Sequence, residues 1–518
     1  MVLISSGAYV EPSLKSEFGL IPPSFLPVRN KRLFVLQKES LHFEEQVYIS
    51  LPKSFNINIA DEKLLIENNV KIIQVPDNLS IGLSIFYSLN KIKERDEPIR
   101  ILYGDTLIAN LPLFNNFYAL GKPEYNYEWA SINNNEVTNL TYSGYFSFEN
   151  IYQLIDSLYA CDFDFIQSIK HYKSQCNVKE EICNNWFDLG HINSYYRSKS
   201  KLTTERAFNS ITIEERVLTK TGDNHQKIEA EAFWFEQLPN EVKVYTPVYL
   251  GRNTNNNSQI SYKLEYLFLS SLNELFIFGT QPEFVWDIIL NKLTLFLEKA
   301  ASIKPNNNLD LLHNSIDLYL GKTTERLHKF KEQTGIDINS NWLFNETEVP
   351  SLIAIAQETS NSISTATEKN IGLLHGDFCF SNILFDFKSI DIKLIDPRGL
   401  TTSNEFSIYG DTRYDIAKLS HSIIGCYDHI IAGYYSLEYN QENKINFQLH
   451  TSNIHKTIQQ KYSDIQVGQY SITSSENYAI MIHLFLSMLP LHYENKKKQL
   501  ALLSNALRLY LIYKKMFK

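Results

Sequence analysis

Along residues 1–200, apolar and polar positions group into short strand-like blocks separated by helix-like ones. MVLISS, EQVYISLP, VKIIQVP and IRILYGD read as strands, and residues 82–93 between the last two read as a helix. Such alternation predicts an α/β domain, doubly wound, with a mostly parallel sheet and helices on both faces. Ligands bind such sheets at the carboxyl ends of strands. Asp105 stands at one such end, directly after RILYG in Gly104-Asp105-Thr106-Leu107. Residues 194–209, SYYRSKSKLTTERAFN, are polar and basic, and beyond them the pattern changes. ITIEERVLTK reads as one strand ending at Lys220, and KIEAEAFWFEQL reads as a helix. Long helical patterns follow, including residues 322–331 and the closing segment from MIHLF to LIYKK. The boundary is placed near residue 205, with domains at 1–205 and 206–518.

A chain of 518 residues exceeds the size at which one hydrophobic core stops growing, which agrees with two domains. Its 44% hydrophobic and 21% charged residues are those of a globular protein, and the net charge of −9 argues against nucleic acid or an anionic membrane as main partner. MVLISSGAYVEPSLKSEF has no basic n-region and no long apolar core, so neither a signal peptide nor an anchor is expected and the cytoplasm is the expected compartment. Residues 479–489 are apolar but too short for a bilayer, and contain His483; a buried helix is expected there, with no membrane insertion. Cys161, Cys176, Cys183, Cys379 and Cys426 form no metal pattern and read as reduced, structural thiols. The runs Asn133-Asn134-Asn135 and Asn255-Asn256-Asn257 read as loops. Oligomeric state is not legible.

Residues 371–399, IGLLHGDFCFSNILFDFKSIDIKLIDPRG, hold the densest chemistry. Asn382 follows Asp377 by five residues, and Asp396 lies fourteen further on, inside IKLID. In phosphoryl transfer from ATP, a loop Asp orients the attacking hydroxyl and accepts its proton, while an Asn and a second Asp hold the metal ions that neutralise the phosphates. A hairpin through Asp386 and Lys388 would return the chain so that Asp396 arrives beside Asn382. The competing reading is a buried hairpin whose Asp and Asn residues only cap turns.

HGDFCFSNILFD followed by LIDPRG resembles the aminoglycoside phosphotransferase and choline kinase family. The likeness extends to Gly410-Asp411-Thr412-Arg413-Tyr414-Asp415-Ile416-Ala417-Lys418-Leu419, similar to the stretch by which bacterial members close the site. The resemblance implies an α+β, protein-kinase-like second domain that uses ATP and Mg2+ on a hydroxyl of a small molecule, an amino alcohol, polyol or sugar. It further implies Asp377 as base, Asn382 and Asp396 as metal ligands, and Lys220 as phosphate clamp paired with Glu231, Glu229 being the second choice. Residues 262–275 are similar to the hinge between lobes, where the backbone at Glu265 and Tyr266 would hold the adenine.

Residues 1–200 resemble, more loosely, the sugar-nucleotide and choline-phosphate nucleotidyltransferases. The likeness lies in the strand-end Gly104-Asp105, the GYFSF strand, and WFDLG before YYRS, with NLSIGLS similar to a nucleotide-base loop in which Gly82 opens a helix. It implies that Asp105 and Asp188 hold a magnesium ion for CTP or another nucleoside triphosphate. The family's loop arginine and its lysine before LPV are missing: Glu11 and Pro23 stand instead, leaving Lys15, Arg29, Lys31 and Arg32 as substitutes. The combined expectation is a bifunctional kinase and nucleotidyltransferase that prepares an activated unit for bacterial capsule or other surface polysaccharide. The alternatives are an active kinase with a degenerate nucleotide- or sugar-binding module, and an antibiotic-modifying kinase.

Overall fold

The computed structural model describes the chain except residues 42–44, 95, 113, 124–139, 203–208, 215, 255–259, 307–317 and 441. Both asparagine runs and the boundary near residue 205 lie outside the described residues. By compactness the chain forms two units, Met1–Thr204 with Phe278–Thr280, and Glu205–Ile277 with Gln281–Lys518.

The first unit is built on a seven-stranded sheet. Its order is Lys179–Ile182, Phe117–Gly121, Thr141–Phe148, Ile99–Tyr103, Val2–Ser5, Val47–Pro52 and Val70–Val75. The last four strands run parallel. Thr141–Phe148 is reversed against both of its neighbours, so the sheet is mixed. Residues two apart share a face. Leu3, Ile73, Ile99, Ile101, Tyr118 and Phe146 accordingly enter one apolar cluster with Ile85, Leu154 and Ile169 from three helices. Val2–Ser5 has Val47–Pro52 on one side and Ile99–Tyr103 on the other, so the strand order reverses there. The carboxyl ends of Val2–Ser5 and Ile99–Tyr103 thus flank the place where such sheets take ligands. Asp105 is at its lip.

The second unit opens with a four-stranded antiparallel sheet, Asn209–Glu214, Val217–Gly222, Ile260–Glu265 and Tyr249–Thr254 in that order. This corrects the expected single strand ending at Lys220. Glu214 pairs with Val217, so ITIEERVLTK doubles back on itself, and Arg216 takes a left-handed φ of 67°. Alternation runs through so short a reversal unbroken, which is why periodicity misses it. The helix His225–Gln237 buries Ile228, Glu231, Trp234 and Phe235, and the chain then passes through residues 266–271 into a mainly helical body. There the hairpin Ile383–Asp386 and Asp391–Leu394 pairs with Ser270–Ser271, and Ile371–Leu373 pairs with Tyr409–Asp411. The helix Ser475–Met488 is buried at positions 477–487, and among the described residues no helix is long and apolar enough to cross a membrane. All five cysteines are free.

Candidate active sites

In the second unit, Lys220 comes from the second strand of the opening sheet and is buried. Its Nζ lies 2.6 Å from Glu231 Oε2 and 2.9 Å from Asp396 Oδ1. The Tyr262 hydroxyl donates to the same Glu231 oxygen at 2.7 Å. Glu229, two residues earlier on the helix, faces Arg252 instead, at 3.4 Å. Burial opposes the charge on Lys220, but Asp396 and Glu231 outweigh it and hold the ammonium above its ordinary range. Burial raises Glu231 against the pull of Lys220. A cation fixed between two carboxylates, one of them 36% exposed, is placed to meet phosphate oxygens arriving at the exposed side.

The loop after Ile371–Leu373 carries Asp377. Asn382 donates its Nδ2 to Asp377 Oδ2 at 2.9 Å and to the Asp377 carbonyl at 3.0 Å. With the amide nitrogen so engaged, Asn382 turns its Oδ1 the other way, where it accepts a long hydrogen bond from Ser381 at 3.3 Å. Ile395 donates its backbone N–H to the Asn382 carbonyl at 3.0 Å, which sets Asp396 beside the loop. Asp396 itself has a φ of 57°, in the left-handed region that an aspartate tolerates at a cost and keeps where its surroundings demand it. A hard-oxygen pair, the amide oxygen of Asn382 and the carboxylate of Asp396, fits magnesium shared with nucleotide phosphates.

Two residues for which the sequence alone suggested no role complete the loop. Lys418 places its Nζ 2.8 Å from Asp377 Oδ1. Burial works against ionisation of Asp377, yet Lys418 and the Asn382 hydrogen bond hold its carboxyl well below the usual range. Asp415 accepts the backbone N–H groups of His375 at 2.7 Å and Gly376 at 2.8 Å, although burial pushes its carboxyl up to about 7. Both lie on the helix Arg413–Ile423, three residues apart and so on one face. That spacing, inside a tract already singled out, was the available signal. His375 is buried and kept neutral by burial, which lowers its pKa to about 4, and its Nε2 bonds to the Ile395 carbonyl at 3.0 Å. Behind this helix face, Arg413 is 2% exposed, forks onto Asp411 at 2.9 and 2.7 Å, and reaches Glu476 at 2.7 Å.

The helix carrying Glu231 is tied twice to the segments that flank Asp377 and Asp396. Trp234 donates its indole N–H to the Leu374 carbonyl at 2.8 Å. Gly399, with φ 64°, lies so close to the Ala230 carbonyl that a Cβ would overlap it. Gly399→Ala is therefore expected to push the helix away from Asp396 and to lower stability by about 1–3 kcal/mol. Thermal melts check this, and an unshifted midpoint would show that the close approach is relieved at no cost.

Glu265 and Tyr266 lie where the sheet leads into the helical body. Their N–H groups already donate, to the Val248 carbonyl at 2.9 Å and the Arg216 carbonyl at 2.7 Å. Neither N–H is thus left to donate to an adenine.

In the first unit, Asp188 pairs across the sheet with Thr106, beside Asp105. The two carboxylates converge over Gly190: a Cβ there would lie 2.5 Å from Asp105 Oδ2 and 3.4 Å from Asp188 Oδ1. Burial, with the Asp188 charge adding to it, pushes Asp105 up to about 6. Asp188 Oδ2 is buried and accepts no hydrogen bond among the described residues, while His191 Nδ1 stands 3.8 Å away. The Asp188 carboxylate raises His191 in turn. Two carboxylates with an unused buried oxygen fit one magnesium ion that also takes phosphate oxygens.

The basic groups expected to stand in for the missing loop cations are engaged elsewhere or exposed. Arg32 is buried on Asp61, at 2.9 and 2.7 Å, and donates to the Phe25 carbonyl. Lys31 pairs with Glu39, while Lys15 and Arg29 are exposed. Glu11 accepts the backbone N–H of Ile192 at 2.8 Å, so its carboxylate sits at the amino end of the helix Ile192–Lys201. Gly82 is buried where the helix Ile81–Lys91 presses on the Phe163 backbone, which gives it a packing reason of its own.

No family model matches the chain, and no curated protein matches it. Among solved structures, the chain is similar to a nucleoside-diphosphate-sugar pyrophosphorylase from Vibrio cholerae RC9, at 10% identity over 38% of this chain and 99% of that one, with a TM-score of 0.31. It is similar to HddC from Yersinia pseudotuberculosis at 18% identity, over 39% and 99% of the two chains, with a TM-score of 0.29. An aminoglycoside-3'-phosphotransferase of type VIII matches at 13% identity over 54% of this chain and 90% of its own, with a TM-score of 0.33.

Proposed function

We propose that the second unit transfers the γ-phosphoryl group of ATP to a hydroxyl of a small molecule. The observation that carries this reading is the junction at Lys220, whose ammonium is shared by Glu231 and Asp396 while Asn382 is bonded to Asp377. On this reading a phosphate clamp, two oxygen ligands for metal and a carboxylate for the acceptor lie on adjoining segments. Asp377 orients the acceptor hydroxyl and takes its proton as the oxygen bonds to the γ-phosphorus and ADP leaves. Its strongly ionised state suits this step, because the loose transition state of phosphoryl transfer needs little proton abstraction until late. Asn382 and Asp396 would hold magnesium, which supplies neutralisation of the phosphate charge.

For the first unit, we read the convergence of Asp105 and Asp188 on Gly190 as a second metal-binding site. It would serve CTP or another nucleoside triphosphate whose α-phosphorus is attacked by the phosphate made in the second unit, with release of pyrophosphate. The product would be a nucleotide-activated unit of the kind used in bacterial surface polysaccharide. A second reading, that this unit binds a nucleotide or sugar without catalysis, is favoured by the engagement of Arg32 with Asp61 and by the acid at Glu11. The two separate in one assay. Purified protein given each nucleoside triphosphate and a panel of phosphorylated alcohols is expected to release pyrophosphate, and Asp105→Ala to abolish that release. Release that persists in the variant, or none from the parent with any pair, sinks the catalytic reading of this unit.

A further inference from the structure

Basic groups from three segments gather beside the loop that carries Asp377. A pocket there is lined by Leu374, Arg398, Thr401, Tyr409, Tyr414 and Asp411, whose carboxylate is held by Arg413, among others. Lys322, from the helix Leu320–Thr334, sets its Nζ 5.8 Å from the centre of the Tyr414 ring. Lys418 lies one helical turn beyond Tyr414 and contacts Asp377 at 2.8 Å. Arg398 lays its stem on Gly376, whose φ of 80° and missing Cβ admit it: a Cβ there would stand 2.5 Å from Arg398 Cβ. Three segments far apart in sequence thus bring three cations around one phenol. Lys418 has Asp377 as partner, whereas Lys322 and Arg398 have no carboxylate within ion-pair distance among the described residues.

Like charges so gathered repel one another, and burial sharpens the repulsion. Its trace is visible at Lys322: the Tyr414 phenol would raise it, but burial together with Arg398, Lys418 and Arg326 holds it below its ordinary value. An arrangement that is unfavourable by itself, and that reaches Asp377 through Lys418, is offset by an anion placed among the cations. We propose that the acceptor carries an anionic group, a phosphate or a carboxylate, seated between Lys322 and Arg398 while its hydroxyl faces Asp377. This rests on the kinase reading and narrows its substrate class. The neutral polyols and cationic amino alcohols become poor acceptors, because an ammonium would meet Lys322, Lys418 and Arg398 without a counter-charge. In the reaction, the acceptor oxygen bonds to the γ-phosphorus, the bond to the bridging oxygen of ADP breaks, and the proton passes to Asp377.

The test uses the full chain in two assays. With saturating AMP-PNP and magnesium, inorganic phosphate is titrated and binding read by calorimetry. Binding is expected, and about tenfold or more weaker in Lys322→Met and in Arg398→Gln, the loss of one charge-assisted contact. In the second assay, ADP release is compared among glycerol, ethanolamine, glycerate and glycerol phosphate. The two anionic compounds are expected to lead, and their order tells carboxylate from phosphate. Phosphate that fails to bind the nucleotide-loaded protein, binding unaffected by both substitutions, or glycerol or ethanolamine as the best acceptor would each overturn the proposal. Failure of the kinase reading has a different signature: AMP-PNP itself would not bind, or would bind equally to Lys220→Met.

Discussion

Asp377→Asn is expected to lower ATP-dependent turnover by about 10²–10⁴-fold, the range for loss of a positioned general base, with AMP-PNP affinity retained. The reason is local. Asp377 Oδ2 accepts from Asn382 and Oδ1 faces Lys418, so an amide keeps the size of the side chain and one of its two acceptors, while removing the charge that would receive the proton. The same change leaves Lys418 without its anion, so thermal midpoints need to be measured alongside rates. A variant that turns over within about tenfold of the parent would take the base role away from Asp377. A variant that loses both turnover and AMP-PNP binding would mean that the anion chiefly holds the loop together.

The second large effect is on stability. Arg413→Ala is expected to destabilise the second unit by about 3–5 kcal/mol, because it removes one partner of a buried ion pair and strands the other. Asp411 is 3% exposed, and without the guanidinium its side chain would keep the Tyr319 hydroxyl at 3.0 Å and the backbone N–H of residue 413 at 3.1 Å. Glu476 and the Ser364 carbonyl lose a donor at the same time. Urea unfolding followed by tryptophan fluorescence of the full chain reads this as a shifted midpoint. Three of the five tryptophans, Trp234, Trp286 and Trp342, belong to the second unit and are buried there, so their exposure to water reports its unfolding. An unshifted midpoint would show that Asp411 is satisfied without Arg413.

How far the sequence can be read differs between the residues. Asp377, Asn382 and Asp396 lie within twenty residues, in a strand, loop and hairpin whose local pairing brings them together, and their spacing is therefore informative by itself. Lys220 and Glu231 are one strand and one helix apart, and the buried face of the helix selects Glu231 over Glu229. The sequence already ranked Glu231 before Glu229, and burial is the physical ground on which the structure separates them. Lys418 and Asp415 meet the Asp377 loop across some forty residues of chain, and Lys322 lies fifty-five residues before Asp377. No local pattern distinguishes such charges from solvated ones.

In the first unit the alternation of strands and helices, and Asp105 at a strand end, belong to what the amino-acid sequence by itself determined. Hydrophobic period and chain order require no tertiary knowledge. The reversal of Thr141–Phe148, the convergence of Asp105 with Asp188, and the capture of Arg32 by Asp61 were decided only in three dimensions. Strand direction leaves no mark on a period-two pattern, and an arginine in a Pro-rich segment reads the same whether it faces a phosphate or a buried carboxylate. The physical reason is common to all three: the sequence sets which side chains are apolar and which are charged, while the partner of each charge is chosen by packing between segments remote along the chain.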